Sequence, residues 1–206
     1  SGKSTLCRTI NRLEPIDRGA IYLDGTLLPD EGRDLAALRA EVGMVFQSFN
    51  LFSHKTILDN VTLAPIKVRK KSKEEAQARA MELLEQVDLG QYASTLAEEM
   101  PYGRQRALEI ATTLALDPEL MLLDEPTQGM GHEDVDRVAD LIRKVAANRT
   151  ILMVEHNLSV VSHLCDRITV LTRGSILAEG PYAEVSQNPK VLEAYVGSDD
   201  ISVAHH

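Results

Sequence analysis

Hydrophobic residues are spaced differently in the two halves of the chain. Between about residues 57 and 116, most of them recur at the spacing of an amphipathic helix. From Leu120 onward, they form short runs of four or five residues that alternate with helical stretches. Such runs are typical of buried strands in a parallel sheet that helices cover on both faces. We therefore predict strands over 120–123, 150–154 and 167–171, separated by helices over 133–147 and 157–164.

Turn and strand signals organise the first half of the chain. Residues 20–23 read as a strand closed by Asp24-Gly25, which predicts a β-hairpin region near the N-terminus. Residues 42–47 form another apolar strand that ends in a polar residue. The helical pattern over about 57–116 predicts a helical subdomain. Further helices are predicted up to about residue 13, over 33–40 and over 74–87, where Ala78, Met81, Leu83 and Leu84 share one face.

The composition is that of a folded protein of about one domain. The 206 residues are 44% hydrophobic and 26% charged, which is an ordinary balance. A net charge of −9 disfavours nucleic acid as a partner, because its phosphates would repel the chain. The two cysteines, Cys7 and Cys165, have no metal-ligand spacing and fit a reducing compartment. No apolar run approaches the roughly 20 residues of a membrane helix, so we expect any membrane role to act through a partner.

The chain begins with the end of a phosphate-binding loop. Ser1-Gly2-Lys3-Ser4-Thr5 matches the end of the pattern GxxxxGK[ST]. In that loop, backbone N–H groups and a helix N-terminus surround the phosphates, the lysine pairs with the β- and γ-phosphates, and the serine holds Mg²⁺. The alternative is that these residues only cap a surface helix. The first glycine of the pattern and the strand before it are missing, so we expect the domain to be incomplete at its N-terminus.

Two carboxylates follow one of the most apolar strands. Asp124 and Glu125 come directly after residues 120–123. Open α/β sheets bind ligands at the carboxyl ends of their strands, so both side chains are placed where a ligand is expected. Asp124 could orient Mg²⁺ through its water shell, and Glu125 could polarise an attacking water. The alternative is an ordinary acidic turn after a strand.

Two other predicted strands also end in polar residues. Gln47 closes the strand over 42–47, and His156 comes shortly after the strand over 150–154. In a common site, either side chain is a candidate to contact the γ-phosphate, the metal or the water. Taken alone, each is equally well explained as a surface or structural residue.

The order of these motifs resembles the nucleotide-binding subunits of ABC transporters. The phosphate loop, Gln47 in Val-Phe-Gln, a helix start at 102–105, Leu-Leu-Asp-Glu-Pro and Val-Glu-His occur in that family's order and spacing over essentially the whole chain. The resemblance implies an α/β fold, a P-loop NTPase core with a parallel sheet flanked by helices, together with a helical signature subdomain. It also implies that residues 1–206 form one nucleotide-binding domain, which binds and hydrolyses ATP with Mg²⁺.

The resemblance implies roles for particular residues. By it, Gln47 lies in the Q-loop between the nucleotide and the permease, Glu125 is the catalytic base and His156 is the switch histidine. The residues implied to bind nucleotide are Gly2, Lys3, Ser4 and Thr5, and those implied to hold Mg²⁺ are Ser4, Gln47 and Asp124. The signature segment, which completes the partner subunit's site, consists of Pro101, Tyr102, Gly103, Arg104 and Gln105.

The resemblance also implies partners and a location. Two such subunits would sandwich two ATP molecules head to tail, at the cytoplasmic face of the cell membrane as peripheral proteins. Permease subunits, whose coupling helix would lie near residues 49–52, and indirectly a solute-binding protein, would complete an importer of amino acids or a similar small solute. Residues 1 to about 90 resemble polar amino-acid importers, and those from about 96 onward resemble the branched-chain amino-acid and urea class.

Two segments depart from the family pattern. Where the family has LSGGQ, this chain has Met100-Pro101-Tyr-Gly-Arg, and Pro101 has neither the hydroxyl nor the N–H that a serine would offer a phosphate. Gly131 stands where the family has the D-loop aspartate. The altered signature and the incomplete phosphate loop leave open a degenerate module that docks on a permease without efficient hydrolysis. Two further alternatives are a soluble ABC ATPase of DNA repair or translation and a P-loop kinase.

Overall fold

The protein was analysed as a computed structural model, which describes residues 2–29 and 32–196. These residues belong to two compact units: 4–29 and 32–155 lie in one, and 2–3 and 156–196 lie in the other. The predicted polar end over 198–206 lies outside the described residues. That residues 1–206 form one domain, with a helical subdomain at about 57–116, stays a prediction.

Most helices and strands lie close to the predicted positions. The strand before Gln47 ends at Val45, so Gln47 follows the strand and does not belong to it. Within the described residues, no helix is both long enough and apolar enough to cross a lipid bilayer. In chain order the elements are α1 (Lys3–Ile10), β1 (Tyr22–Leu23), β2 (Thr26–Leu27), α2 (Gly32–Glu41), β3 (Val42–Val45), α3 (Ile57–Lys67), α4 (Lys73–Gln86), α5 (Tyr102–Leu114), β4 (Leu120–Asp124), α6 (His132–Ala146), β5 (Thr150–Val154), α7 (Leu158–Leu164), β6 (Ile168–Thr172), β7 (Ser175–Gly180), α8 (Tyr182–Val185) and α9 (Pro189–Val196).

A parallel sheet of β3, β4 and β5, with β4 in the middle, organises the larger unit. Val42 pairs with Leu120, and Leu120 pairs with Thr150, so the carboxyl ends of the three strands meet at one edge. All five residues of β4 are buried, as expected for a strand with a neighbour on each side. The predicted parallel sheet is thereby confirmed, and β4 carries Asp124 to its edge.

The predicted hairpin near the N-terminus is also present. Strands β1 and β2 pair antiparallel, with Leu23 opposite Thr26. Asp24 and Gly25 form the turn with φ values of 48° and 77°, which the sequence signal Asp-Gly favours.

Helices α3, α4 and α5 pack against one another in the same unit. A capping box starts α4: Ser72 Oγ accepts a hydrogen bond from Glu75 N–H, and the Glu75 carboxylate accepts one from Ser72 N–H. The buried residues of α4 are Ala76, Ala80, Leu83 and Leu84. The predicted face was wrong for Ala78, which is exposed. Ala78 lies two residues from the buried Ala76 and Ala80, and two residues along a helix correspond to a rotation of about 200°, so its side chain points away from theirs.

The second unit contains an antiparallel hairpin in place of a predicted parallel strand. Strand β6 pairs with β7, with Ile168 opposite Gly180. Between them, Arg173 and Gly174 have φ values of 49° and 79°, as in the two-residue turns that connect hairpins. So short a connection leaves no room for the crossover that a parallel pair needs. The parallel prediction was therefore wrong for β6.

The burial of β4 leads to a prediction about stability. Leu122 is 0% exposed in the central strand, whereas Leu27 in the hairpin is 55% exposed. Leu122→Ala should lower the free energy of unfolding by about 2–5 kcal/mol, because it leaves a cavity in the core. The matched variant Leu27→Ala should change it by less than about 1 kcal/mol. Urea denaturation followed by circular dichroism measures both, and equal losses would contradict the assignment of β4 as the core of the sheet.

Candidate functional site

The predicted phosphate-binding residues lie at the start of α1. Lys3, Ser4 and Thr5 are its first residues, and Gly2 precedes them with a φ of 78°. That φ lies in the left-handed region, which glycine adopts without steric cost. The first N–H groups of a helix have no partner inside the helix and carry partial positive charge. This local geometry suits a bound phosphate.

Asp124 lies beside Ser4 at the buried end of β4. Its Oδ1 accepts a hydrogen bond of 2.7 Å from Ser4 Oγ. The residue is fully buried, and its Oδ2 has no hydrogen-bond partner within residues 2–29 and 32–196. A buried carboxylate oxygen without a partner is costly unless a cation, or water bound to one, lies next to it. Hydroxyl and carboxylate oxygens are ligands that Mg²⁺ prefers, so the pair fits a magnesium ion.

The thiol of Cys7, on α1, is buried close to the same carboxylate. Burial, and to a smaller extent the charge of Asp124, raise the pKa of Cys7 to about 12. The thiol therefore stays protonated at neutral pH and is a poor nucleophile. We assign Cys7 to the core and not to the chemistry of the site.

Three polar side chains meet after the carboxyl ends of β3 and β4. Gln47 Nε2 lies 3.3 Å from Glu125 Oε2 and 2.7 Å from Gln128 Oε1. Glu125 follows β4 directly, and its backbone N–H donates to Val154 O at 2.8 Å. Its φ of 51° lies in the left-handed region, as at several turns of this chain. Because its carboxylate lies beside Gln47 at the edge of the sheet, Glu125 is a candidate for the chemistry.

The turn after Glu125 is tied to the end of β5. Both the backbone N–H of Thr127, at 3.1 Å, and its hydroxyl donate to Glu155 Oε1. Thr127 is buried, and Glu155 comes directly after Val154, the last residue of β5. Hydrogen bonds to a carboxylate are about twice as strong as neutral ones, so they hold this turn firmly.

The signature segment starts α5. Pro101 is its N-cap residue and supplies no side-chain cap. Gly103 lies where α5 faces α6: a Cβ there would be 2.7 Å from Asp134 Oδ1, so any larger residue would require the Asp134 side chain to move. Gln105 Nε2 donates to Met100 O at 2.9 Å and thereby closes the turn before the helix.

Two aromatic contacts flank the same helix start. The ring of Tyr102 packs on Phe49, with centroids 4.6 Å apart, and the guanidinium of Arg104 lies 4.5 Å from the centroid of Tyr92. Tyr102 thus joins the signature segment to the residues after Gln47. Arg104 places a positive charge near the N-terminus of α5.

A buried ion pair on α5 holds the segment that contains Gln47. Arg106 Nη1 lies 2.5 Å from Glu109 Oε2, and both side chains are almost completely buried. Arg106 also donates to the backbone carbonyl of Phe46 at 2.5 Å and to that of Gln47 at 3.0 Å. Glu109 Oε1 accepts from the backbone N–H of Asn50 at 3.2 Å. Helix α5 therefore fixes the backbone of this segment on both sides of Phe49.

The charges of this pair depend on each other. Burial raises the pKa of Glu109, while the charge of Arg106 and the hydrogen bonds to the carboxylate oppose the rise. The Arg106 guanidinium also lies 4.8 Å from the centroid of the Phe49 ring. Removing Arg106 alone would leave a carboxylate buried without a cation.

Comparison with protein families decides the class of protein. The family described as ABC transporter matches residues 1–128, more than half of the 206 residues. The chain belongs to the ABC transporter family. It is an ATP-binding subunit of that family and an ABC-type ATPase, as the order of its motifs predicted. A second match, to the branched-chain amino acid ATP-binding cassette transporter family, covers residues 175–201, in the half of the chain expected to resemble that class.

Curated relatives of this ABC subunit are named for amino-acid transport. The glutamate transport ATP-binding protein GluA of Corynebacterium efficiens is 47% identical over 94% of this chain and 81% of its own length. The glutamine transport ATP-binding protein GlnQ of Bacillus subtilis is 40% identical over 92% of this chain and 79% of its own. The glutamate/aspartate import ATP-binding protein GltL of Escherichia coli is 39% identical with the same coverage. The predicted resemblance to amino-acid importers is confirmed.

Solved structures confirm the predicted fold of this ABC subunit. The protein cbiO1 of Clostridium perfringens, part of the ABC transporter complex cbiONQ, has a TM-score of 0.83 at 24% identity, over 96% of this chain and 79% of its own. A dimeric ATP-binding cassette in a post-hydrolysis state with ADP and Pi has a TM-score of 0.78 at 30% identity, over 87% and 80%. Subunits of this family bind nucleotide, dimerise and work with permeases. The alternative of a simple P-loop kinase was wrong.

The structure of the ABC subunit brings together some predicted site residues and adds others. Ser4 meets Asp124, with which it was expected to share Mg²⁺, and Gln47 meets Glu125, both just after the ends of their strands. His156 belongs to the second unit, and its role stays a prediction. Sequence reasoning missed the contacts of Arg106, Glu109, Thr127, Gln128 and Glu155. The one signal for the first two was a pair of charges three residues apart on a helix whose neighbouring residues are apolar.

The buried pair of this ABC subunit leads to a second prediction. Arg106→Met should lower the free energy of unfolding by about 3–5 kcal/mol, because Glu109 loses its cation. The double variant Arg106→Met/Glu109→Leu should regain only part of this loss, since two backbone carbonyls and one N–H of the Gln47 segment still lack partners. Urea denaturation compares the two variants. A double variant as stable as the parent would show that these backbone contacts contribute nothing.

Proposed function

We propose that the chain binds Mg-ATP and hydrolyses it to power the import of amino acids across a membrane. The observation that carries the proposal is the arrangement at the end of β4, where Asp124 meets Ser4 and Glu125 meets Gln47. Relatives named for glutamate, glutamine and aspartate transport support an amino acid as the solute. The solute itself is selected by the permease and the solute-binding protein.

Nucleotide binding is assigned to the start of α1. We expect the N–H groups of Gly2, Lys3, Ser4 and Thr5 to surround the phosphates and the Lys3 ammonium to pair with their charge. Ser4, Gln47 and Asp124 would hold Mg²⁺, the last through water. When bound, Mg²⁺ neutralises the charge that builds up on the phosphate oxygens during hydrolysis. Asp124 favours this arrangement because its Oδ2 is buried without a partner in the described part of the chain.

Hydrolysis is assigned to residues at the ends of the strands. Glu125 would accept a proton from the attacking water as general base. Gln47 would orient that water, and His156 would contact the γ-phosphate. The hydrogen bond from Gln47 Nε2 to Glu125 Oε2 supports this division, because it places the proposed base directly beside the residue proposed to orient the water.

A second nucleotide-binding subunit would complete the site with its signature segment. Pro101 offers no hydroxyl, so the N-terminus of α5 and the charge of Arg104 would take its place at the γ-phosphate. Gly131, at the D-loop position, has a φ of −72° and open space where a side chain would start. An aspartate side chain would therefore fit at this position without a clash.

The permease is the other expected partner. Phe52 is 47% exposed, and the residues between Phe49 and Phe52 would lie near the permease's coupling helix. The subunit would then act as a peripheral protein at the cytoplasmic face of the cell membrane. Two alternatives compete with this proposal: a module that docks on the permease without hydrolysing ATP, which Pro101 and Gly131 favour, and a soluble ABC ATPase, which no observation favours.

A third prediction tests the catalytic base. Glu125→Gln keeps the shape of the side chain but removes its basicity, so ATP turnover should fall by about 100-fold or more while ATP affinity stays within about threefold. Glu119→Gln is the matched control, since Glu119 is exposed and precedes the opposite end of β4. Phosphate release and equilibrium ATP binding are measured for both.

Two outcomes would contradict the proposal. Turnover of Glu125→Gln equal to that of Glu119→Gln would remove Glu125 as the base. A parent protein that binds ATP but does not turn it over, even with its permease, would be the non-hydrolysing module.

A further inference from the structure

Gln128 lies beside the two residues proposed to handle the attacking water, and none of the roles above involves it. Its Oε1 accepts a hydrogen bond of 2.7 Å from Gln47 Nε2, which is the shorter of the two bonds that this nitrogen makes. The side chain of Gln128 is half-buried, so it is neither part of the core nor freely exposed. The hydrogen bond to Gln47 is therefore its main described interaction at this edge of the sheet.

The carboxylate of Glu125 fixes the orientation of both amides. An ionised carboxylate only accepts hydrogen bonds, so Gln47 must turn its NH₂ group toward it. The second hydrogen of the same nitrogen is then available, and Gln128 Oε1 accepts it. Both N–H groups of the Gln47 side chain thus make hydrogen bonds, which leaves its Oε1 as the atom that can bind a ligand. No hydrogen bond to that oxygen occurs within the described residues.

The backbone presents the Gln128 acceptor from a fixed turn. Gln128 N–H donates to Glu125 O at 3.2 Å, which closes the turn over these residues. Within it, Thr127 is held by its two hydrogen bonds to Glu155. On the other side, Arg106 holds the backbone of Gln47. The two glutamines therefore approach each other from two segments that are anchored separately.

We propose that Gln128 is a positioning residue, which holds the Gln47 amide so that its oxygen is available to Mg²⁺ and the attacking water. The inference rests on the proposed function. Without the acceptor at Gln128, one N–H of Gln47 loses its partner and the side chain gains other rotamers. The oxygen of Gln47 then occupies its working position in a smaller fraction of molecules.

Gln128→Leu tests the proposal, because leucine lacks the acceptor but has a similar volume. The loss of one hydrogen bond corresponds to about a 3- to 10-fold effect, so kcat should fall and the Mg²⁺ concentration for half-maximal rate should rise by that factor. ATP affinity without metal should not change. Gln86→Leu, at an exposed glutamine on α4, is the control and should match the parent in both quantities.

A readout that needs no turnover tests the contact directly. In the nucleotide-free protein, the Nε2 protons of Gln47 should exchange with water about 3- to 10-fold faster in Gln128→Leu than in the parent. ¹H–¹⁵N NMR measures this exchange, and the signal is assigned by its loss in Gln47→Ala. An unchanged exchange rate would overturn the proposed contact.

A double-mutant cycle separates positioning from a structural role. If Gln128 acts through Gln47, adding Gln128→Leu to Gln47→Ala should lower kcat by no more than about twofold further. An equal loss in both backgrounds, or an unchanged kcat and Mg²⁺ dependence in Gln128→Leu, would overturn the inference. The proposed function fails separately, if Glu125→Gln leaves turnover intact.

Discussion

The burial of β4 between two parallel strands is the constraint on which the rest of the larger unit depends. A strand with neighbours on both sides must be apolar along its length, and residues 120–123 meet that condition. Its end is then the first place where polar side chains can lie. Asp124 and Glu125 occupy it, and the parallel register brings the residues after β3 and β5 to the same edge. The site is a consequence of how the sheet is built.

A second constraint links this edge to helix α5. The Arg106–Glu109 pair is costly to bury, and it is stabilised by hydrogen bonds to the backbone around Gln47. The pair thereby attaches the backbone of the Gln47 segment to α5. In the proposed function, α5 begins with the segment that faces the partner subunit, and the residues after Gln47 face the permease. In that function, we expect a displacement at either surface to move Gln47 as well, because these contacts tie its backbone to α5.

The sequence predicted the elements of this account whose signals are local. Apolar runs located β4 and β5, and the Asp-Gly pair located the hairpin β1–β2. Motif order gave the family, and with it candidate roles for Ser4, Gln47 and Asp124. Contacts between distant segments left no such signal. The hydrogen bond from Gln47 to Gln128 depends on a turn that Glu155 holds through Thr127, and the antiparallel pairing of β6 depends on β7. Ala78 was misplaced because several helical faces of α4 contain alanine.

The central claim is that the edge of this sheet forms half of an ATP site that a second subunit completes. The most direct test is the molar mass of the full-length Glu125→Gln protein, measured by light scattering with and without Mg-ATP. The account predicts a monomer without nucleotide and a dimer with it, since ATP that is not hydrolysed should hold two subunits together. A monomer in both conditions, with ATP bound, would contradict the claim and show that Pro101 and Gly131 do not support closure.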